Sequence, residues 1–210
     1  QIFVITDVLE EIYATLLVVA ADREKAINTY QSAVDRVIAA IEHQRWPGLV
    51  LELENCAHTL AGIERKYEQG EKPVVSLINE MYVRRSNFAR KHIVEKLADK
   101  DIILRVAGLH EWLYYVDFVV KKKLVQNSTV NNRFQKMLET PPKRYFEKKI
   151  KAILAKSGLY ESRLVDIEKV FDSAKDLIPP TMICESILIT GTAITELVDE
   201  VSGIISIQPF

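Results

Sequence analysis

The sequence predicts an α/β protein, with a Rossmann-like parallel sheet, flanking helices and a helical N-terminal region. Two short apolar runs, at 74–78 and 102–107, have the length and composition of buried strands. A segment with a helical apolar pattern separates them, and the short links around it favour parallel strands joined by a right-handed crossover. A third run, at 203–207, is apolar on both faces and predicts a central strand of the same sheet.

Residues 1–72 carry the apolar periodicity of helices and form the predicted N-terminal region. One apolar stripe covers 8–19, and a second follows Asp22, which is a suitable N-cap residue. The sequence Trp-Pro-Gly at 46–48 predicts a break in the chain, and a third helical pattern covers 49–67. We therefore expect three helices before the α/β part begins.

Residues 73–210 form the predicted α/β domain. Asn87 is a suitable N-cap for the helix between the first two strands. Later helical patterns cover 111–125, 143–156, 161–177 and 181–198. Gly158 is expected to end the second of these helices, and Gly191, inside the last, is expected at a point of close packing.

The composition argues against several classes of protein. The 210 residues can bury a core in one or two domains, and a formal net charge of -1 gives no overall attraction to nucleic acid. The sequence contains no secretory signal and no apolar run of membrane-spanning length. Cys56 and Cys184 are far apart in ordinary apolar surroundings, so neither a disulfide framework nor a complete cysteine metal site is expected. These features favour a cytoplasmic location.

The two ends of the chain predict that it is a piece of a longer protein. It begins at Gln1 without a methionine and stops at Phe210, shortly after the third predicted strand. The sequence has no phosphate-binding glycine loop, no paired-histidine metal helix and no serine nucleophile motif. We therefore expect any catalytic machinery to lie outside this chain or to be completed by a partner.

Charged and aromatic residues are concentrated directly after the first two predicted strands. Ligands of parallel sheets meet the loops at the carboxyl ends of the strands, so a binding cleft is expected there. The residues in these loops are Asn79, Glu80, Tyr82, Arg84, Arg85, His110, Glu111 and Trp112. An alternative in which Glu80 and Arg84 cap or pair structurally agrees equally well with the position of the loops.

Residues 121–156 form a basic run, with eleven Lys and Arg residues against two Glu residues. A solvated helix face explains most runs of this kind, and the nearly neutral chain favours that interpretation. The functional alternative is a surface for phosphates, of a nucleotide, coenzyme A or nucleic acid, or for a protein partner. On this alternative the chain is a non-enzymatic binding module.

Two stretches carry a family pattern. The first is Asn-Glu-Met-Tyr-Val-Arg at 79–84 with Glu111, Trp112 and Tyr115 some thirty residues later, and the second is 184–191, leading to Gly-Ile-Ile-Ser-Ile-Gln-Pro-Phe at 203–210. Together they resemble the 2-hydroxyacyl-CoA dehydratase superfamily, and most closely the carboxyl-terminal part of the large CoA-substrate-specific enzyme activases. That family has Gly-Glu-(Ile/Met)-Tyr-Val-Arg, then Glu-Trp with a following Tyr, and later Gly-Glu-(small)-(apolar) before a strand ending Pro-Phe-Gly-Cys. Asn79 and Cys184 stand where glycine is usual.

The resemblance implies a role in electron transfer. Its members are cytoplasmic, oxygen-sensitive iron–sulfur proteins of anaerobes, in which a partner domain hydrolyses ATP and drives an electron into a cluster on the dehydratase-like part. The electron supports reductive chemistry on CoA thioesters. The family's cluster cysteine would fall two positions after Phe210, so a [4Fe-4S]-type cluster and ATP are expected in the full-length protein and no cofactor in this chain. The remaining domains are then its partners, and a homo-oligomer is compatible with the pattern.

The resemblance also implies site residues. Glu80 and Arg84 fall at positions expected to be catalytic, and Glu111 and Trp112 at positions expected to bind substrate. Arg84 would hold a phosphate or carboxylate through two hydrogen bonds, and Glu80 would orient that group or transfer a proton. Trp112 would form a wall of the pocket. The alternative, that Glu80 and Arg84 pair to fix the loops, stays open.

Overall fold

The computed structural model describes residues 1–68, 70–122, 143–179, 185–199 and 201–207. These residues form a mixed helix and strand fold with a small parallel sheet. The helices are α1 (Ile2–Val19), α2 (Arg23–His43), α3 (Trp46–Ala61), α4 (Met81–Arg85), α5 (Ile93–Ala98), α6 (Leu109–Lys121), α7 (Lys143–Ala155), α8 (Ile167–Ala174) and α9 (Glu185–Asp199). The strands are β1 (Val74–Asn79), β2 (Ile103–Val106) and β3 (Gly203–Ile207).

The three described strands lie in the order β2-β1-β3, and both pairings are parallel. Val75 of β1 pairs with Leu104 on one side and with Gly203 on the other. The predicted parallel unit of the first two strands is therefore confirmed. Among the three described strands β1 is central and β3 lies at the edge, so the prediction of a central β3 is wrong for this part of the sheet; its residues are half-buried or exposed. Apolar residues on both faces of a strand show that other parts of the protein pack above and below it. They do not show whether the strand has a neighbour on each side within the sheet.

Helix α1 is buried on almost every side. It contacts β2 and the helices α2, α5, α6 and α7, which explains why apolar residues continue around its surface. Helix α2 begins after Asp22, whose carboxylate accepts a hydrogen bond from the backbone N–H of Lys25 at 3.0 Å. The predicted cap at Asp22 is confirmed.

Two predicted boundaries in the first half of the chain are wrong. Helix α3 begins at Trp46 with Pro47 in its first turn, so 46–48 starts a helix where a break was expected. Proline is tolerated there because the first N–H groups of a helix have no acceptor within it. Asn87 caps no helix: α4 and α5 are separate, and the Asn87 side chain accepts a hydrogen bond from Arg90 Nε at 2.9 Å.

The second half of the chain follows its predicted pattern with shorter elements. Gly158 has a φ of 65° just after α7, as expected for a helix stop. Helix α8 begins only at Ile167, because Asp166 caps it through the backbone N–H groups of its first turn. Gly191 lies against the backbone of Val170 in α8, so the predicted close packing is confirmed. The predictions for 123–125 and 181–184 fall outside the described residues.

The described apolar side chains form two clusters. The larger joins the first three helices to the sheet, α5 and α7, and its members include Leu16, Val37, Leu53, Leu77, Leu104 and Ile150. The smaller lies between α6, α8 and α9 and includes Tyr115, Val170 and Ile187. The division of the chain at residue 72 stays a prediction. None of the described helices is long and apolar enough to cross a membrane.

Candidate functional site

A cavity of about 230 Å³ opens at the carboxyl end of β2. The strand end and the following turn form one wall, from Arg105 to Gly108, and α1 contributes Asp7 and Glu11. Other walls come from α6, α7, α8, α9 and the segment 160–166. The cavity therefore lies where parallel sheets usually present their ligand sites.

The residues predicted after β1 bond to the nearby backbone. Glu80 is the N-cap of α4 and accepts a hydrogen bond from the Val83 N–H at 2.7 Å. Arg84 is only 6% exposed and donates from one terminal nitrogen to the Asn79 carbonyl at 3.1 Å. Its Nε is buried without a hydrogen-bond partner among the described residues. These contacts fix the end of β1, and they leave a catalytic role for Glu80 and Arg84 as a prediction.

The residues predicted after β2 lie in the first turn of α6. Glu111 is buried, and its carboxylate accepts a hydrogen bond from the Gly108 N–H at 3.4 Å. Trp112 packs against the smaller apolar cluster. Burial lowers the pKa of the Arg84 guanidinium, and the charge of Glu111 opposes that shift. The two predicted loops follow neighbouring parallel strands, so they lie at the same edge of the sheet.

A buried pair beside these loops was not predicted from the sequence. The Nδ1 atom of His110 lies 2.6 Å from Asp7 Oδ2, and the backbone N–H of His110 donates to the same oxygen at 3.1 Å. Arg85 forms an ion pair with the other oxygen of Asp7 and donates to the Ala107 carbonyl. Burial acts to raise the pKa of Asp7, but the bond from His110 and the charge of Arg85 hold that pKa below its usual value.

Lys151 continues this network on the other side of the imidazole. Its Nζ lies 3.1 Å from His110 Nε2, 2.7 Å from Glu147 Oε1 and 2.7 Å from the Arg163 carbonyl. An ammonium group has three hydrogens and no lone pair, so all three contacts must be donations. His110 Nε2 then accepts the hydrogen bond from Lys151, and Nδ1 is the nitrogen that donates to Asp7.

Glu147 ends the network and is completely buried. In addition to Lys151, it accepts hydrogen bonds from the Tyr114 hydroxyl at 2.8 Å and from Arg144 at 3.1 Å. Burial acts to raise the pKa of Glu147, but the charge and hydrogen bond of Lys151 hold it below its usual value. Burial and the bond to Glu147 raise the pKa of Tyr114.

This arrangement limits the chemistry that the network can perform. A histidine oriented by an aspartate is typical of a general base, but here the free lone pair of His110 is occupied by Lys151. His110 could accept a proton from a ligand at Nε2 only after Lys151 had moved away from that nitrogen. Cys56 is buried in α3, and burial raises the pKa of its thiol to about 11, so it is no activated nucleophile. The described residues contain no cluster of metal-ligating side chains.

A signal for the network is nevertheless present in the sequence. Asp7 interrupts the apolar stripe of α1, and Glu147 and Lys151 are spaced four residues apart on the face of α7 that also holds Ile150 and Leu154. Charged residues at buried positions of a helix need partners, because the cost of removing them from water is large. Which partners they find could not be predicted, since Asp7 and His110 are 103 positions apart.

Replacing Lys151 tests whether the network holds the fold. We expect Lys151→Met to lower the free energy of unfolding by about 3–5 kcal/mol, because it leaves the Glu147 carboxylate buried without its ammonium partner. Lys148→Met is the control, since Lys148 is exposed on the same helix. Chemical denaturation measures both, and the double variant Glu147→Gln/Lys151→Met should recover part of the loss. Equal stability of the Lys151 and Lys148 variants would contradict the assignment.

The lowered carboxyl pKa values predict a dependence of stability on pH. Asp7 and Glu147 are held below their ordinary pKa values of 3.8 and 4.5 in the folded protein. Their contribution is therefore complete above pH 4.5 and is lost as the pH falls through the folded-state values. Denaturation at several pH values should show a steeper acid decline for the wild type than for Asp7→Asn/Glu147→Gln. Parallel curves for the two proteins would disprove this origin of the acid sensitivity.

Comparisons of the chain with protein-family models, with curated proteins and with solved structures give no match.

Proposed function

We propose that the chain is a dehydratase-like domain of the 2-hydroxyacyl-CoA dehydratase superfamily. On this proposal it works in the cytoplasm as part of a longer protein, with an ATP-driven activator and a [4Fe-4S]-type cluster in the other parts. The function is electron transfer for reductive chemistry on CoA thioesters. The sequence resemblance is the basis of the proposal, and one feature of the backbone at the end of β1 carries it further.

That feature is the conformation of Asn79, which has a φ of 97°. Positive φ angles favour glycine strongly, and asparagine is one of the few other residues found there. Asn79 stands at the position where the family pattern has glycine. The resemblance and the backbone thus agree on a position that requires an unusual residue, although neither was derived from the other.

The strand order also supports a Rossmann-like interpretation of the sheet. In the order β2-β1-β3 the direction of winding reverses between β1 and β3, and doubly wound folds bind their ligands at such a reversal. Asn79 pairs with Ile207, so the carboxyl ends of β1 and β3 are adjacent. The cysteine that the resemblance implies after Phe210 would therefore follow a strand that ends beside Glu80.

The described residues do not fit the cluster itself. Iron–sulfur clusters are held by several cysteine thiolates. Cys56 is the one described cysteine, and it is fully buried within the larger apolar cluster. The proposal therefore assigns the cluster to cysteines elsewhere in the longer protein, and to this chain a binding surface at the edge of the sheet.

The alternative, a binding module that uses the basic run 121–156, receives less support. Lys143 lies 2.7 Å from Asp117, and Arg144 lies 3.1 Å from Glu147. Lys151 is buried and forms an ion pair with the same carboxylate, that of Glu147. These pairs reduce the positive charge that the described part of the run can offer to phosphates. The segment 123–142 lies outside the described residues.

Iron analysis of the longer natural protein tests the proposal. When it is purified without oxygen, the protein should contain iron and acid-labile sulfide, because an iron–sulfur cluster held by cysteine thiolates contains both. It should also absorb visible light. A colourless protein that takes up no iron during anaerobic reconstitution would rule the proposal out. Binding to nucleic acid that weakens steeply with salt would support the alternative.

Substitution of Asn79 tests the backbone feature. Both Asn79→Gly and Asn79→Ala remove the hydrogen bond from Asn79 to the Ser206 hydroxyl, so the difference between them isolates the conformation. We expect the alanine variant to be less stable than the glycine variant by about 1–2 kcal/mol, because a Cβ is disfavoured at positive φ. The control pair is Asn87→Gly and Asn87→Ala, since Asn87 has no positive φ. Denaturation measures all four, and an alanine variant at 79 as stable as the glycine variant would remove the support.

A further inference from the structure

The two outer strands of the described sheet differ in what lies beside them. All four residues of β2 are buried, and α1 packs against this strand while making little contact with the central strand β1. Helix α1 therefore covers the outer side of β2, which is one of the ways in which proteins protect a sheet edge. On the opposite side, no described element pairs with the outer side of β3, whose residues are half-buried or exposed.

Strand β3 also lacks the residues that usually protect an exposed edge. Edge strands often carry charged side chains or proline, which disfavour pairing with another strand. The sequence of β3, Gly-Ile-Ile-Ser-Ile at 203–207, contains neither. Ile205 and Ile207 pack against the larger apolar cluster, and Ile204 points to the opposite face of the strand. Nothing in the composition of this strand therefore opposes pairing with a further strand.

The hydrogen bonds of β1 show which way its backbone groups point. The N–H of Ile103, at the start of β2, donates to the Pro73 carbonyl at 3.0 Å. The N–H of Ala107, just after β2, donates to the Leu77 carbonyl at 3.0 Å. Successive residues of a paired strand direct their backbone groups to opposite sides. The odd-numbered residues of β1 therefore face β2, and the even-numbered residues, including Ser76, face β3.

Ser76 in turn shows which backbone groups of β3 are unused. Its partner across the pair is Ile204. In a parallel pair, the N–H and C=O of one residue bond to the residues before and after its partner, which here are Gly203 and Ile205. The N–H and C=O groups of Ile204, and by the same alternation those of Ser206, therefore point away from the sheet.

Two exposed apolar side chains lie close to the start of this strand. Leu197 is 51% exposed and Val198 is 76% exposed, both in the last turn of α9. A tight turn follows, in which the Val201 N–H donates to the Glu196 carbonyl at 3.0 Å. The last turn of α9 and the outer side of β3 thus form one uncharged, partly apolar surface, because only a few residues separate them.

We propose that β3 pairs with β3 of a second copy of this chain, antiparallel across a two-fold axis, so that the two sheets become continuous. With Ile205 on the axis, Ile204 of each copy lies opposite Ser206 of the other, and their outward N–H and C=O groups form about four hydrogen bonds. A second copy always presents the same unpaired strand. No like charges meet, because the strand has none and the net charge of the chain is -1. This inference does not depend on the proposed function.

The covered edge of β2 limits this assembly to two copies. Pairing of one edge with the other would build an open filament, but α1 blocks the edge of β2, so only the self-complementary pair of β3 strands is possible. The contact is small, since five strand residues extend over only about 17 Å. Its area is well below the roughly 800 Å² per partner of stable complexes. We therefore expect a weak dimer that forms at high protein concentration.

Sedimentation equilibrium from micromolar to millimolar concentration tests the proposal. The average mass should rise from that of one chain, 24.0 kDa, toward twice that value. Hydrogen exchange of the Ile204 and Ser206 amides should slow as the dimer forms, while the Gly203 and Ile205 amides should be protected at every concentration. A mass of one chain throughout would leave this edge to a strand of another protein and would overturn the proposal. Growth beyond two chains would overturn it as well.

A lysine on the strand localises the contact. Ile204→Lys should weaken dimerisation by at least about tenfold, because it brings two like charges together across the axis. The fold should persist, since lysine is common on natural edge strands and its stem can cover apolar surface. Ile38→Lys is the matched control and should dimerise like the wild type, because Ile38 is 47% exposed on α2, which packs against α1 and α3. Equal dimerisation of the two variants would overturn the assignment of β3.

Two proline variants test the direction of the backbone groups. Ile204→Pro removes an outward N–H, so it should abolish the dimer and leave the chain folded. Ile205→Pro removes an N–H that bonds to β1, so it should lower the stability of the monomer. Circular dichroism and denaturation compare the two. A dimer that persists in a folded Ile204→Pro variant would contradict the proposed pairing, and the lysine variant decides the proposal if both proline variants unfold.

Discussion

The structure depends on the buried polar chain that runs from Asp7 through His110 and Lys151 to Glu147. The charged groups would cost several kcal/mol to bury without partners. Asp7, His110 and Lys151 meet from three different helices, and Glu147 lies one turn before Lys151 on the same helix. The chain therefore fixes α1, α6 and α7 relative to one another at the carboxyl end of β2. The position of the cavity follows from this arrangement, since the same helices form its walls.

Much of the fold could be predicted, because strands and helices differ in the spacing of their apolar residues, and this spacing can be recognised within a short segment. The parallel pairing of β1 with β2 and the cap at Asp22 follow from a few neighbouring residues. The position of β3 within the sheet could not be predicted in this way. Apolar residues such as Ile204 and Ile205 show that side chains pack on the faces of the strand, and they do not show which strands pair with it. The prediction that Asn87 caps a helix was wrong because its side chain accepts a hydrogen bond from the Arg90 side chain. Capping preferences give no information about such side-chain contacts.

The sequence indicated a location for the candidate site, but it did not indicate most of the residues that form it. The rule that ligands meet the carboxyl ends of parallel strands indicated the loops of Glu80 and Glu111, and the cavity adjoins the second of them. The residues that organise the cavity were missed, since Lys151 belonged to a basic run that suggested a solvated face. Periodicity can mark Lys151 as buried, but only the folded chain shows that its three hydrogens are all used.

The extensive burial of α1 has a consequence for how the protein folds. This helix is the first described element and ends at Val19, yet it contacts β2, α6 and α7, which begin only at Ile103, Leu109 and Lys143. On the ribosome its apolar surface would emerge well before the segments that bury it. During synthesis α2 can cover part of α1 at once, but the rest of its apolar surface stays exposed until β2, α6 and α7 have been made.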